Sequence, residues 1–179
     1  MHAKKWLMIV INVIGGFAVL GSYIYGILSH PEAGRMLWGG VPQMIRPFYT
    51  VGMLLAATGY FAFTYFILFR LDPVQTRVAN RFGFGVFNVL YATILIPSAL
   101  WMPLTFLAVE NSSLALLWTV RIVLAVVGLA SLGLLLALLT VKPPQPLWAH
   151  KLAVTGCVFF CIQTVLLDAI VWGSLFRFF

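Results

Sequence analysis

Two charged side chains, Arg121 and Asp168, lie inside long apolar stretches of this 179-residue chain. Arg121 comes seven residues after Leu114, and Asp168 comes eight residues before Phe176. On helices rising about 1.5 Å per residue, both are expected roughly 10–12 Å below one membrane boundary, on consecutive antiparallel helices. A lone charge at that depth costs at least about 2.5–3.5 kcal/mol on insertion scales, so embedded charges pair or face a cavity. One expectation is therefore an ion pair that fixes the register of the two helices, or an Arg121 that snorkels outward. The other is a polar anchor, with Asp168 orienting Arg121 toward an anionic or carbonyl-bearing ligand.

Around Asp168, the spacing predicts one helical face made of Cys157, Cys161, Thr164, Asp168 and Trp172, with Gln163 offset by one residue and able to reach a neighbouring helix. The two cysteines share a face at i,i+4, but helix geometry keeps their sulfurs apart. With no histidine at matching depth they make a poor metal site, and none is expected. His2, His30 and His150 fall at or beyond the ends of the apolar stretches, which argues against bis-histidine haem. Pro97 and Pro103 lie within one stretch; each removes a backbone donor and frees an upstream carbonyl, and a bend beside Trp101 can widen a cavity. Asn88, Tyr91, Thr93 and Ser98 add polar groups there, as Tyr49, Thr50, Thr58, Tyr60, Thr64 and Tyr65 do in the preceding stretch. The candidate ligand-binding residues are Arg121, Asp168, Trp101, Tyr60, Thr164 and Pro103. No G-x-S-x-G, H-E-x-x-H, Walker loop or G-x-G-x-x-G occurs, and the four acidic residues are dispersed, so no catalytic residue or cofactor is assigned.

The elements that must position these residues follow from composition. Hydrophobic residues make up 63% of the chain and charged ones 8%, with a mean hydropathy of +1.05. Soluble domains carry about a quarter charged residues, so this is the composition of a membrane protein. The net charge of +7 comes from basic residues scattered singly at segment ends, which argues against a nucleic-acid partner. Five stretches reach the roughly 20 apolar residues a transmembrane helix needs: Trp6–Leu28, Phe48–Phe69, Phe84–Val109, Leu114–Leu139 and Leu152–Phe176. The first is too long for a signal-peptide core and is read as a retained helix. Ser29–Pro47, Arg70–Gly83, Glu110–Ser113 and Thr140–Lys151 connect them, with Asn111 and Ser112 as candidate helix caps. The expected fold is an all-α five-helix membrane bundle, a single domain over residues 1–179, with sequential helices as antiparallel neighbours.

With the N-terminus inside, Lys4, Lys5, Arg70, Arg77, Arg81, Lys142 and Lys151 collect on the cytoplasmic side, against Arg35, Arg46 and Arg177 opposite. This favours a cytoplasmic N-terminus and a C-terminus on the other side. Trp6, Trp38, Trp148 and Trp172 sit near stretch ends, as an interfacial belt requires. Gly15, Ala18, Ser22 and Gly26 in the first helix, and Gly52, Ala56 and Gly59 in the second, form small-residue stripes for packing within the bundle or against a second copy.

The run Trp101-Met102-Pro103-Leu104-Thr105-Phe106 ends the third helix of five, follows a long first loop, and precedes Ala115-Leu116. In these features the chain resembles the tryptophan-rich TspO/MBR (translocator protein) family, whose third helix carries a W-x-P-L-F-F run; Trp101, Pro103, Leu104 and Phe106 match it. Thr105 stands where the family has phenylalanine, and Asn88 lies farther upstream than the family's asparagine. Trp38-Gly39-Gly40-Val41-Pro42 is only faintly similar to its first-loop signature, and Pro143-Pro144-Gln145-Pro146-Leu147-Trp148 replaces its proline-tyrosine segment. The resemblance implies a cavity for porphyrins, sterols or similar amphipathic molecules, with Trp101 in its wall, and dimerisation.

The functional expectation is a non-enzymatic, multi-pass membrane protein that binds, or transports, a hydrophobic or amphipathic small molecule within the bundle. The alternative is an accessory or structural subunit of a larger membrane complex. A lipid-directed transporter using Asp168 for protons ranks below both, because there is no inverted repeat and only one embedded acid.

Overall fold

The computed structural model describes residues 2–177 and has five long helices, each of 26–29 residues and apolar enough to cross a membrane. At about 1.5 Å per residue each is roughly 40 Å long, enough for a hydrocarbon core of about 30 Å plus the interfaces. The first span is α1 (Ala3–Ser29); a short helix α2 (Ala33–Trp38) lies in the first loop. The second span is α3 (Arg46–Tyr65), extended by a π-helical turn over Phe66–Arg70. Then come α4 (Gly85–Glu110), α5 (Leu114–Thr140) and α6 (Leu147–Cys161), the last continued by a π-helical segment over Ile162–Trp172 and a final turn, α7 (Gly173–Leu175). Two short strands, β1 (Arg77–Val78) and β2 (Val141–Lys142), pair antiparallel at the end of the bundle where the chain begins. The chain is thus an all-α, multi-pass integral membrane protein.

Several boundaries differ from the sequence reading. The fifth span begins at Leu147 rather than Leu152, because Pro146 is its N-cap and Trp148, His150 and Lys151 already lie in its first turns. The cap of α5 is Ser113, whose hydroxyl accepts from the Leu116 amide at 3.4 Å. Asn111 instead turns back to the Leu107 carbonyl, and Ser112 takes a left-handed φ of +46°. The α4 helix runs unbroken through Pro97 and Pro103.

Neighbour relations also depart from simple sequential order. The close pairs are α1 with α4, α4 with α5, α5 with the fifth span, and α3 with α6. Because α1 and α4 both start at the strand end, their packing is parallel. The small-residue stripes explain this choice. A Cβ on Gly15 would lie 2.8 Å from Leu95, and one on Gly26 would lie 2.5 Å from the Met102 sulfur and 2.7 Å from Phe106, so α1 fits α4 only through these glycines. In the other pair, a Cβ on Gly156 would lie 2.7 Å from the Gly59 Cα, so the α3 and α6 backbones touch. The glycines of both stripes pack inside the chain, whereas Ala18 of the first is exposed.

The core has three parts, the smallest of them Ala33, Met102 and Phe106. A larger aromatic cluster towards the strand end includes Phe63, Phe66, Phe87 and Tyr91; a smaller one towards α2 includes Tyr49, Leu117, Val120, Trp172 and Phe176. His30, stacked on Phe106 at 3.8 Å, ties the end of α1 to Glu110 at the end of α4 with a 2.9 Å contact.

Gly156→Val drives methyl groups into the Gly59 backbone and is expected to cost more than about 3 kcal/mol, removing the cooperative unfolding transition in detergent. Gly16→Ala, where nothing lies within 4 Å, is expected to leave the midpoint within the equivalent of about 0.5 kcal/mol.

Candidate functional site

The fifth span widens into a π-helix over Ile162–Trp172, the part of the chain that carries Asp168. Such segments occur often at functional sites because they change which residues share a face. Here the regular helical face expected from the sequence is broken. Gln163, five residues before Asp168, stacks beneath it and donates from Nε2 to Asp168 Oδ1 at 2.8 Å. Gln163 lies against α3, where a Cβ on Gly52 would sit 2.5 Å from its Oε1, so it does reach a neighbouring helix. Thr164 instead donates to the Phe160 carbonyl at 2.9 Å, with its own backbone carbonyl against Gly128 of α5, and makes no contact with Asp168 of this kind.

Arg121 and Asp168 do not meet. Among the described residues the ion pairs are His30–Glu110 and Arg35–Glu32, both at the α2 end. Side chains lean toward the N-terminus of their own helix. The two helices are antiparallel, so at equal depth Arg121 leans outward and Asp168 leans inward. Arg121 donates from Nε to the Gly173 carbonyl at 2.8 Å, five residues beyond Asp168, and its guanidinium lies 4.7 Å from the Trp118 ring centre. A cation at the C-terminal end of a helix both fills an orphan carbonyl and complements the helix dipole. The role of Arg121 is to close the fifth span, and the expected Arg121–Asp168 pair is corrected accordingly.

Among the described residues, Gln163 is the one hydrogen-bond partner of the Asp168 side chain, and aromatic side chains surround this part of the span. Tyr49 donates to the Leu167 carbonyl at 2.6 Å. Tyr23 packs edge-on against Trp101 at 5.9 Å, and Trp101 packs edge-on against Trp172 at 5.7 Å. The Trp101 indole Nε1 is buried without a partner, as is Gln163 Oε1. Above this group α2 acts as a cover: Trp172 Nε1 donates to the Leu37 carbonyl at 2.8 Å, and Trp38 packs edge-on to Tyr49 at 5.6 Å. The cover fits because Gly39 holds a φ of +48° and lacks the Cβ that would strike the Phe176 ring at 2.5 Å.

Of the residues named from sequence, Trp101 and Asp168 thus share one region. Pro103 lies in the same helix two residues beyond Trp101, half-buried. Tyr60 belongs elsewhere: its hydroxyl donates to Asn12 Oδ1 at 2.5 Å and its ring packs in the larger aromatic cluster, 5.4 Å from Phe63. Sequence reasoning did not single out Tyr23 for the site; its place three residues before Gly26, on the face that packs on α4, was the available signal. Cys157 and Cys161 are both buried free thiols, and no group of three metal-ligating side chains occurs among the described residues. His150 donates from Nε2 to the Leu138 carbonyl at 2.7 Å, in the opposite half of the bundle from His30.

Fold and site together define a helical membrane protein with an uncompensated carboxylate between its spans. No family model, curated protein or solved structure matches the chain.

Arg121→Met is expected to lower stability by about 1.5–3 kcal/mol through the Gly173 carbonyl. Combined with Asp168→Asn, its effect should add to within about 0.5 kcal/mol, as for residues that share no partner. Coupling of 1 kcal/mol or more in a double-mutant cycle, followed by unfolding in mixed micelles, would restore the ion pair.

Proposed function

We propose that the chain binds the polar head of an amphipathic small molecule between α1, α4 and the fifth span, with its apolar body among the helices or in the adjoining lipid. The observation that carries this reading is Asp168, a carboxylate with no cation within 4.0 Å, in a region where the Trp101 N–H is buried and unpartnered. Unsatisfied polar groups cost several kcal/mol each in a bilayer, because no water is there to serve them. A ligand hydroxyl can serve either need, donating to Asp168 or accepting from Trp101 Nε1; a protonated amine serves the first. Arg121 is engaged at Gly173, so an anionic head such as a porphyrin carboxylate would meet Asp168 without a compensating cation. A sterol-like or other hydroxyl-bearing molecule is the member of the expected ligand range that this chemistry favours. The charge bias of seven basic residues at the strand end against three at the α2 end supports a cytoplasmic N-terminus, with the site toward the opposite leaflet.

Gently purified protein is expected to carry a near-stoichiometric hydroxyl- or amine-bearing lipid, identified by mass spectrometry of the organic extract. Asp168→Asn and Trp101→Phe, each with an unfolding midpoint close to that of the wild type, should weaken its retention about 10-fold or more. Equal retention in all three proteins, or an extract with only bulk phospholipid, would sink the reading.

A further inference from the structure

The strand end of the bundle concentrates positive charge without neutralising it. In the β1–β2 ladder Arg77 stands directly opposite Lys142, and like charges so placed repel. The Nη1 atom of Arg77 and the Nζ atom of Lys4 converge from different elements on one point: each lies 3.9 Å from where a Cβ on Gly83 would stand, and nothing closer occupies that space. Lys4, Arg77 and Lys142 are all exposed, and none of them forms an ion pair among the described residues. The acid in the neighbouring loop, Asp72, uses Oδ1 to accept the Val74 amide at 2.8 Å. The adjoining helix α4 has no acidic residue in its first turn.

From this convergence we propose that Lys4 and Arg77 around Gly83, aided by the charge of Lys142 across the ladder from Arg77, hold the phosphate of an anionic phospholipid. A phosphate at that point accepts hydrogen bonds from the Arg77 guanidinium and the Lys4 ammonium, and its charge relieves the repulsion between Arg77 and Lys142 across the ladder. The lipid source follows from location. The cluster sits where α1 and α4 begin, at the membrane surface, and each nearby basic group strengthens attraction to an anionic leaflet. The bare Gly83 leaves room for the head group, and the exposed Phe82 beside it offers apolar contact for the glycerol and upper chains.

The full chain is reconstituted in phosphatidylcholine nanodiscs, phosphatidylglycerol is titrated in, and bound lipid is counted by native mass spectrometry. Wild type is expected to retain phosphatidylglycerol over phosphatidylcholine, with inorganic phosphate at millimolar concentration failing to displace it. Lys4→Gln and Arg77→Gln should each weaken binding about fivefold, whereas Arg35→Gln at the opposite end should not change it. Lys142→Glu separates binding from folding. In pure phosphatidylcholine it should raise the unfolding midpoint by about 1–4 °C by placing opposite charges across the ladder, while phosphatidylglycerol retention falls. Three results would each overturn the proposal: equal retention of both lipids, cluster variants that bind as Arg35→Gln does, or displacement by inorganic phosphate, which would assign the cluster to a free anion.

Discussion

A lipid bilayer offers no water to a backbone carbonyl or amide, and that constraint governs this chain more than any side-chain attraction. It explains why hydroxyls inside the spans turn back on their own helices: Ser98 to Ile94, Thr105 to Trp101, Ser131 to Val127 and Thr164 to Phe160. It also explains two long-range bonds to carbonyls of the fifth span where its winding changes. Tyr49 serves the Leu167 carbonyl from α3, and Arg121 serves the Gly173 carbonyl from α5. A π-helical stretch of 11 residues is an expensive conformation in lipid, and partners on two neighbouring helices accompany it here. A charge in the membrane need not have a counter-charge when a carbonyl needs a donor.

Against that background of satisfied groups, the Asp168 region stands out. The carboxylate has Gln163 on one oxygen, and the indole N–H of Trp101 has nothing, its ring packing against both the Trp172–Phe176 cluster and that of Met102 and Phe106. A purely architectural interior is served as well by apolar residues of similar volume, which avoid the desolvation of the acid. The aromatic ring of the site is itself well fixed, with Tyr23, Trp101 and Trp172 in edge-on contact and Trp172 bonded to the cover. Rigid aromatic walls around an unmet polar group are what the proposed binding of a polar head would use.

The spans were legible because hydropathy reports them directly, and four of the five differ by only a few residues from the sequence reading. The fifth start was missed since Pro146 reads as a loop residue from sequence, although a proline before the first turn suits a helix. The Arg121–Asp168 depth match was real as arithmetic, yet arithmetic on rise says nothing about the direction in which side chains lean. The π-helical register, which puts Gln163 rather than Thr164 under Asp168, has no hydropathy signature. Trp101 was legible through its proline-rich neighbourhood, whereas Tyr60, an equally plausible aromatic, is held by Asn12 in the other cluster. The small-residue stripes marked close helix approach correctly, but a stripe does not name the helix it meets.

That last point bears on biogenesis. As spans leave the ribosome in order, α1 has its close partner only when α4 arrives, and α3 only when α6 arrives. Only α4–α5 and α5–α6 pair as nearest neighbours in sequence. In the order of synthesis, the close contacts among α4, α5 and the fifth span are between consecutive spans, whereas those of α1 and α3 are with spans made later. A chain that stops before Gly156 strands α3 with its glycine face bare.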